Sequence, residues 1–448
     1  MSNPVTMNQL PVHLKIWWRR SIRWVLDLPV GTSWGRTQPG EVQRNLRWFW
    51  FDGLFSSASE SIVGNFVSLY ILALGATQAQ IGLMSSISNL AGAILLLPGA
   101  FLAQHAASRK RVAVLTGGGV ARIALLSLVF VPILFKGWNL VWIAIALSVI
   151  RDSMGNLGYP SWMTVTHEIV PMEGRGRFFG ARNFVMGVTG IIFTLLAGKL
   201  ISIFVAPLGY QIALGIAFAL GASSTFSYLH INETTPEVPP PPKPVISIKK
   251  LSEVLHGQSQ FVAVVLTSAL WNFSINITGP FFNVYLVQNL KFSTAVIGFL
   301  AVISSISGLF VQNKIGAIAD RLGPRRLQLV SMALIPLLPL AWTLASQVWQ
   351  IALINLAGGI LWGAFNLAQF NLLLASMPKD QIPRFSAIYQ IVITLSLSAG
   401  ALAGSYVIKH WGFVAIFLIS ALLRWVATGL FARFVQAADA PRLKDALS

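Results

Sequence analysis

An all-α polytopic membrane protein, with twelve transmembrane helices in two pseudo-symmetric six-helix bundles, is the fold class this sequence predicts. Three observations lead there: a composition that cannot build a water-facing surface, a succession of apolar stretches long enough to cross a bilayer, and basic residues confined to alternate connections. Of the 448 residues, 55% are hydrophobic and 10% charged, with a mean hydropathy of +0.69. Lipid removes the need for a polar surface, because helices satisfy their own backbone hydrogen bonds while apolar side chains face the hydrocarbon. The formal charge of +18 would in isolation fit a nucleic-acid partner, so the placement of that charge decides.

The elements follow in chain order. From Leu10 to Leu28, Lys15, Arg19, Arg20, Arg23 and Asp27 fall on one helical face and Leu14, Trp17, Trp18, Ile22 and Val25 on the other. That pattern predicts an amphipathic helix lying on the inner leaflet, in contact with membrane lipid and setting orientation. Its charges interrupt the apolar run, so it reads as an uncleaved segment. A hydrocarbon core of about 30 Å takes roughly 20 helical residues. Stretches of that kind fall at 47–74, 78–104, 111–135, 139–163, 179–206 and 208–230, then at 260–288, 293–318, 325–345, 347–376, 384–408 and 411–434.

Counted in and around the connections, span ends included, 25 Lys and Arg lie on the side of the N-terminus and four on the other, with three (Arg122, Arg151 and Arg424) deep inside spans. This bias predicts that both termini are cytoplasmic, in the plasma (inner) membrane. It also accounts for the basic charge without nucleic acid. A polar segment with Pro236 and the run Pro239 to Pro242 reads as an extended linker. The expected organisation is an N-terminal segment 1–46, a six-helix bundle 47–231, a cytoplasmic linker 232–259, a second bundle 260–434 and a tail 435–448.

The two halves resemble each other in register. Shifted by 216, Ile81-Gly82 matches Ile297-Gly298, Ile87-Ser88 matches Ile303-Ser304, Gly92 matches Gly308, and Arg109-Lys110 matches Arg325-Arg326; shifted by 207, Pro171, Arg177 and Phe178 match Pro378, Arg384 and Phe385. Two halves in the same orientation are the signature of a parallel transporter repeat, with a solute site between them near the midplane.

The loop GAIADRLGPRR, Gly316 to Arg326, resembles the cytoplasmic signature of the major facilitator superfamily between its eighth and ninth helices. Arg151 to Pro160, RDSMGNLGYP, is similar to that family's helix-4 pattern. The resemblance implies a transporter working by alternating access. It also implies a cytoplasmic latch formed by Gly316, Asp320, Arg321, Gly323, Arg325 and Arg326, with Asp320 at the positive N-terminal end of helix 11. In the first half Gln104 and Ala107 stand where the family has an acid and a glycine, which weakens any symmetric latch there.

Charges within spans carry the chemistry. Each costs about 2.5 to 3.5 kcal/mol on an insertion scale, so each must pair or meet water, and each is a functional candidate. Glu60 leads, because Gly53, Ser56, Ser57, Gly64 and Ser68 share its helical face. Its expected role is to take up and release a proton, with Arg151 or Arg122 stabilising its charge when near. Arg151 and Asp152, about 100° apart on one helix, are expected to find different partners, Arg122 being the one for Asp152. Arg424 has no acid in its own half and is expected to snorkel or bond carbonyls. Asp52, near the cytoplasmic edge, reads as a surface group. In the second half Asn272 and Asn276, then Trp362, Asn366 and Gln369, join Ser56 and Ser57 as candidate walls for an amphiphilic solute.

No cysteine is present, so thiolate catalysis, disulfides and Cys-ligated metal are excluded. His105 and His167 lack a metalloprotease spacing and read as solvated loop residues. No enzyme activity and no cofactor are expected. The function expected is secondary transport of a small solute, as proton-coupled efflux of an amphiphile, by a monomer. Proton-coupled uptake of a nutrient is the alternative within transport, and a non-transporting sensor is the alternative outside it.

Overall fold

A computed structural model describes residues 28–30, 32–233, 257–377 and 382–436. The amphipathic segment Leu10 to Leu28, apart from Leu28, and the proline run lie outside the described residues. So do the side chains of Gly316, Asp320 and Arg321.

Every regular element among the described residues is helical. After two short 3-10 turns, α1 (Gly40–Ala73), α2 (Gln78–His105), α3 (Arg109–Leu134), α4 (Trp138–Ile169), α5 (Arg175–Ile203) and α6 (Leu208–Leu229) form the first set. The second set begins with α7 (Ser259–Gln288), α8 (Thr294–Leu322), α9 (Pro324–Leu344) and α10 (Val348–Ala375). A helix of 53 residues, Ile382–Phe434, closes the chain.

At about 1.5 Å per residue that last helix would be more than twice as long as a bilayer core is thick. It doubles back at Gly412, whose φ of +75° is open to glycine and strained for residues with a Cβ. The reversal is visible in packing. A Cβ built on Gly404 would meet the Ile277 carbonyl oxygen, and Ser420 donates to the Ser274 carbonyl, so positions eight before and eight after Gly412 meet the same stretch of α7. The arms 382–411 and 413–434 are α11 and α12.

Local sequence explains the ends and breaks. Thr77 and Gln80 form a reciprocal capping box at the start of α2. In α7, Gly279 and Pro280 lie in a 3-10 turn between Ser259–Thr278 and Phe282–Gln288, as a residue without an N–H donor dictates. In α3 the run Val114–Val120, with three glycines, winds as a π turn, which rotates the following residues relative to a regular helix.

Among the described residues nine stretches are long and apolar enough to cross a membrane by length and composition, one of them spanning both α11 and α12. Polar α1 falls outside that set, and α8 contributes the shorter apolar stretch Thr294–Gly308. Large apolar side chains such as Leu97, Phe101 and Ile123 stand more than half exposed, costly in water and suited to lipid.

The two sets meet where α2 packs on α11 and α5 on α8. Four residue pairs hydrogen-bond across this seam among the described residues: Gln78 with Gln288 (2.5 Å), Asn283 with the Asn65 carbonyl (3.3 Å), Thr294 with the Gly198 carbonyl (3.1 Å) and Ser86 with Ser398 (3.0 Å). All lie in the half of the molecule opposite the ends where α1 starts and α12 finishes.

Candidate functional site

On α1, Asp52, Ser56 and Glu60 recur every four residues and so form one stripe. The stripe faces a cavity of about 640 Å³ inside the first set of helices, walled also by α2, α3, α4, α5 and α6. Six charged groups line it: three carboxylates, on Asp52, Glu60 and Asp152, and three guanidiniums, on Arg122, Arg151 and Arg182.

Glu60 is the hub. One carboxylate oxygen accepts from Arg122 Nη1 at 3.0 Å, and the other accepts a closer bond from Arg151 Nη2. Arg151 Nη1 also donates to Asp152 at 2.7 Å, and Arg122 Nη1 to the Ser59 hydroxyl at 3.3 Å. The Glu60 side chain is 48% exposed and Asp152 39%, while the two arginines are 12% and 14% exposed. The carboxylates therefore face the cavity and the cations back them. Neither arginine Nε has a hydrogen-bond partner among the described residues.

This corrects two expectations. Arg122 pairs with Glu60 rather than Asp152, because the π turn just before it sets its direction toward α1. Arg151 and Asp152 share a bond instead of seeking separate partners, since a long forked guanidinium can serve its sequence neighbour and a carboxylate on another helix at once.

Asp52 is also corrected: it is 6% exposed, accepting from Ser224 of α6 at 2.7 Å and from Arg182 of α5 at 3.3 Å. Arg182, counted above with the connection after the fourth span, is 5% exposed; its guanidinium lies 4.1 Å from the Phe49 ring and donates to the Phe49 carbonyl. The reason is helix length. With α1 starting at Gly40 and α5 at Arg175, both residues lie well inside helices that begin before their apolar cores.

A second cavity, of about 650 Å³, lies between the sets, bounded by α1, α5 and α8. Ser57, Ser61 and Asn65 of α1 line it with Asn183 of α5 and Ser304 and Ser305 of α8. Ser56 and Ser57 thus face different cavities.

The candidates in the second half line neither. Asn272 bonds its own helix at Ser268, and Asn276 donates to the Leu397 carbonyl of α11 at 2.6 Å. Trp362 packs with Trp271 and Phe365, and Asn366 is exposed. Gln369 donates to Ser268 (3.0 Å) and to the Tyr389 hydroxyl (2.9 Å) and accepts from Gln328. Arg424 is 2% exposed and donates to the Thr278 hydroxyl at 3.1 Å. It neither snorkels nor bonds a carbonyl among the described residues.

At the latch, Gly323 has φ +78° and Arg326 is exposed, while Arg325 donates to the Ala432 and Val435 carbonyls at the end of α12. The first-half counterpart is similar: Lys110 donates to the Leu229 and Ile231 carbonyls at the end of α6. Two acids there escaped sequence reasoning. Glu233 accepts from the Arg109 backbone N–H at 2.6 Å and from Ser108, capping α3, and Glu168 pairs with Arg109. The available signal was the position of Glu233 directly beyond an apolar span rather than within the proline-rich stretch.

The family model described as Major Facilitator Superfamily matches residues 49–396, with a further match over 264–446. The chain belongs to the major facilitator superfamily. Relatives of this superfamily transporter include the multi-drug resistance efflux pump PmrA of Streptococcus pneumoniae, 27% identical over 84% of this chain and 92% of that protein. Another is the multidrug resistance protein MdtG of Salmonella dublin, 24% identical over 86% and 93%. In fold it is similar to a mutant form of the nucleoside transporter NupG, with TM-score 0.69, 16% identity and coverage of 87% and 100%. It is similar as well to a bacterial homologue of the iron transporter ferroportin in the inward-facing state, with TM-score 0.68, 16% identity and coverage of 87% and 98%.

Proposed function

We propose that this transporter exports a small amphiphilic compound in exchange for protons, working by alternating access in the inner membrane with both termini cytoplasmic. The observation that carries the reading is the bridging of one half-exposed carboxylate, Glu60, by guanidiniums from two other helices. The charge pairing exists only while Glu60 is ionised, so a proton at Glu60 weakens the hold of α3 and α4 on α1 together. A titration becomes a change in how helices are held, which is what coupling requires.

The seam supports the same cycle. Hydrogen bonds join the two sets on the side away from the termini, the charged cavity reaches Asp52, Ala113 and Tyr228 toward the terminal side, and the cavity between the sets lies at mid-length along α1 and α5. In this arrangement solute enters from the cytoplasm while Glu60 is held by its arginines; after the switch, solute leaves and a proton takes the carboxylate. The two named efflux relatives make export the preferred direction. The cytoplasmic loops, with Arg325 on the end of α12 and Lys110 on the end of α6, act as latches, and 47–231 and 260–434 rock as the two bundles.

The test is flux of amphiphilic probes in proteoliposomes under an imposed pH gradient. Wild type moves solute against the proton flow, and Glu60→Gln keeps exchange of solute for solute while losing the response to the gradient. Undiminished gradient-driven transport in that variant rejects Glu60 as the carrier, and co-directional movement of solute and proton rejects export by antiport.

A further inference from the structure

The two cavities lie on opposite faces of one wall. On α1 the stripe Asp52, Ser56, Glu60 faces the charged cavity, and the stripe Ser57, Ser61, Asn65, one residue further and so about 100° around, faces the cavity between the sets. On α5, Arg182 faces the first and Asn183 the second, and Met186 touches both. Ser57 ties the two helices by donating to the Met186 carbonyl at 2.6 Å. The six charged groups all fall on one side, and among the described residues none that lines the other cavity carries a charged side chain.

We infer that the cavity between the sets, where a parallel repeat places the solute, takes uncharged, hydrogen-bonding amphiphiles in preference to organic cations. The inference rests on the transport reading above and adds the solute class and the separation of solute from proton. A cation entering that cavity would shed water and meet only hydroxyls, amides and apolar groups, an uncompensated cost. An uncharged solute escapes it. Among the described residues the Asn183 amide and the Ser304 hydroxyl make no hydrogen bond of their own, leaving donors and acceptors for a carbonyl or similar oxygen. Met186, Ile191, Ala301 and Val302 supply apolar contact, and the volume suits a drug-sized molecule. Solute and proton then do not compete for one carboxylate; they communicate because freeing or pinning α1 on its charged face moves the stripe on its other face.

The test uses two probes of nearly equal shape, triphenylphosphine oxide and methyltriphenylphosphonium, which share three phenyl rings on phosphorus and differ in charge. Binding to the purified full chain in detergent, without any gradient, is expected to favour the oxide by at least about tenfold. Ser305→Asp, at an exposed lining position, is expected to move that ratio toward the phosphonium by about tenfold or more, and Ser305→Asn to leave it within about twofold. Thermal unfolding of both variants close to wild type shows that they fold. Tighter wild-type binding of the phosphonium, no saturable binding of the oxide, or a ratio indifferent to Ser305→Asp overturns the inference. Failure of the proton-coupling reading shows up separately, as absence of gradient-driven flux in proteoliposomes with the binding ratio intact.

Discussion

Asp52 and Glu60 stand two turns apart on one stripe of α1, yet their surroundings assign them different work. Glu60 is half open to the cavity and pairs with two arginines; Asp52 is buried against Arg182 and Ser224. A buried ion pair costs desolvation that its partners only offset together, so removing one partner is expected to destabilise by about 3–5 kcal/mol. Asp52→Asn and Arg182→Met should each lower the thermal midpoint sharply, and Asp52→Leu combined with Arg182→Met should recover most of the loss. Equal losses for single and double variants, measured by thermal unfolding in detergent, would remove the structural role. Glu60→Gln should cost far less stability, because its side chain is half solvated, while abolishing coupling.

At this scale the sequence was legible in residue type more than in pairing. An acid in a span flanked by serines and glycines identified Glu60 directly. Which arginine reaches it depends on helix phase, and the π turn of Val114–Val120 alters that phase in a way no periodicity of 3.6 anticipates. Asp52 and Arg182 were misplaced because hydropathy marks where a helix enters lipid, and both helices run past that point. The polar candidates of the second half were read from shared faces, yet Asn276 and Gln369 bond neighbouring helices, Asn272 bonds its own and Asn366 is exposed.

Among the elements, α2 and α11 set how tightly the two halves close. A Cβ on Gly82 would stand 1.9 Å from the Ser405 hydroxyl, 2.5 Å from the Phe281 ring and 3.1 Å from the Ala401 carbonyl, so the two side chains of the facing helices must move aside and the Ala401 backbone is pressed closely. Gly82→Val is therefore expected to hold the far side of the seam open. Because the chain has no cysteine of its own, Ser86→Cys introduced into that background reports directly. Its labelling by an impermeant maleimide from the side away from the termini should rise severalfold with Gly82→Val, and gradient-driven transport should fall. Unchanged labelling would mean that α2 and α11 close elsewhere. Sequence alone placed this glycine in the repeat with Gly298, and the α2–α11 packing supplies the physical reason: small residues let helices approach where lipid gives no hydrophobic drive.

Across the whole molecule, composition and charge placement made the two-set helical architecture legible, since bilayer thickness constrains helix length more strictly than any side-chain contact. The conformation was not legible, because alternating access asks one sequence to support two arrangements of similar free energy. The seam shows which arrangement is in hand. Gln78 at the start of α2 and Gln288 at the end of α7 meet at 2.5 Å, and opening the far side must separate them. Two glutamines that meet at their tips leave their backbones too far apart for a direct disulfide, so a reducible bifunctional methanethiosulfonate cross-linker joining Gln78→Cys to Gln288→Cys should lock the molecule with its far side shut. Gradient-driven flux should fall by about tenfold or more and return on reduction, while solute binding measured in detergent persists, because the cavity between α1, α5 and α8 is present in this closed-far-side arrangement. Full transport by the cross-linked pair would show that the halves do not part there, and the rocking cycle would have to hinge about a different line.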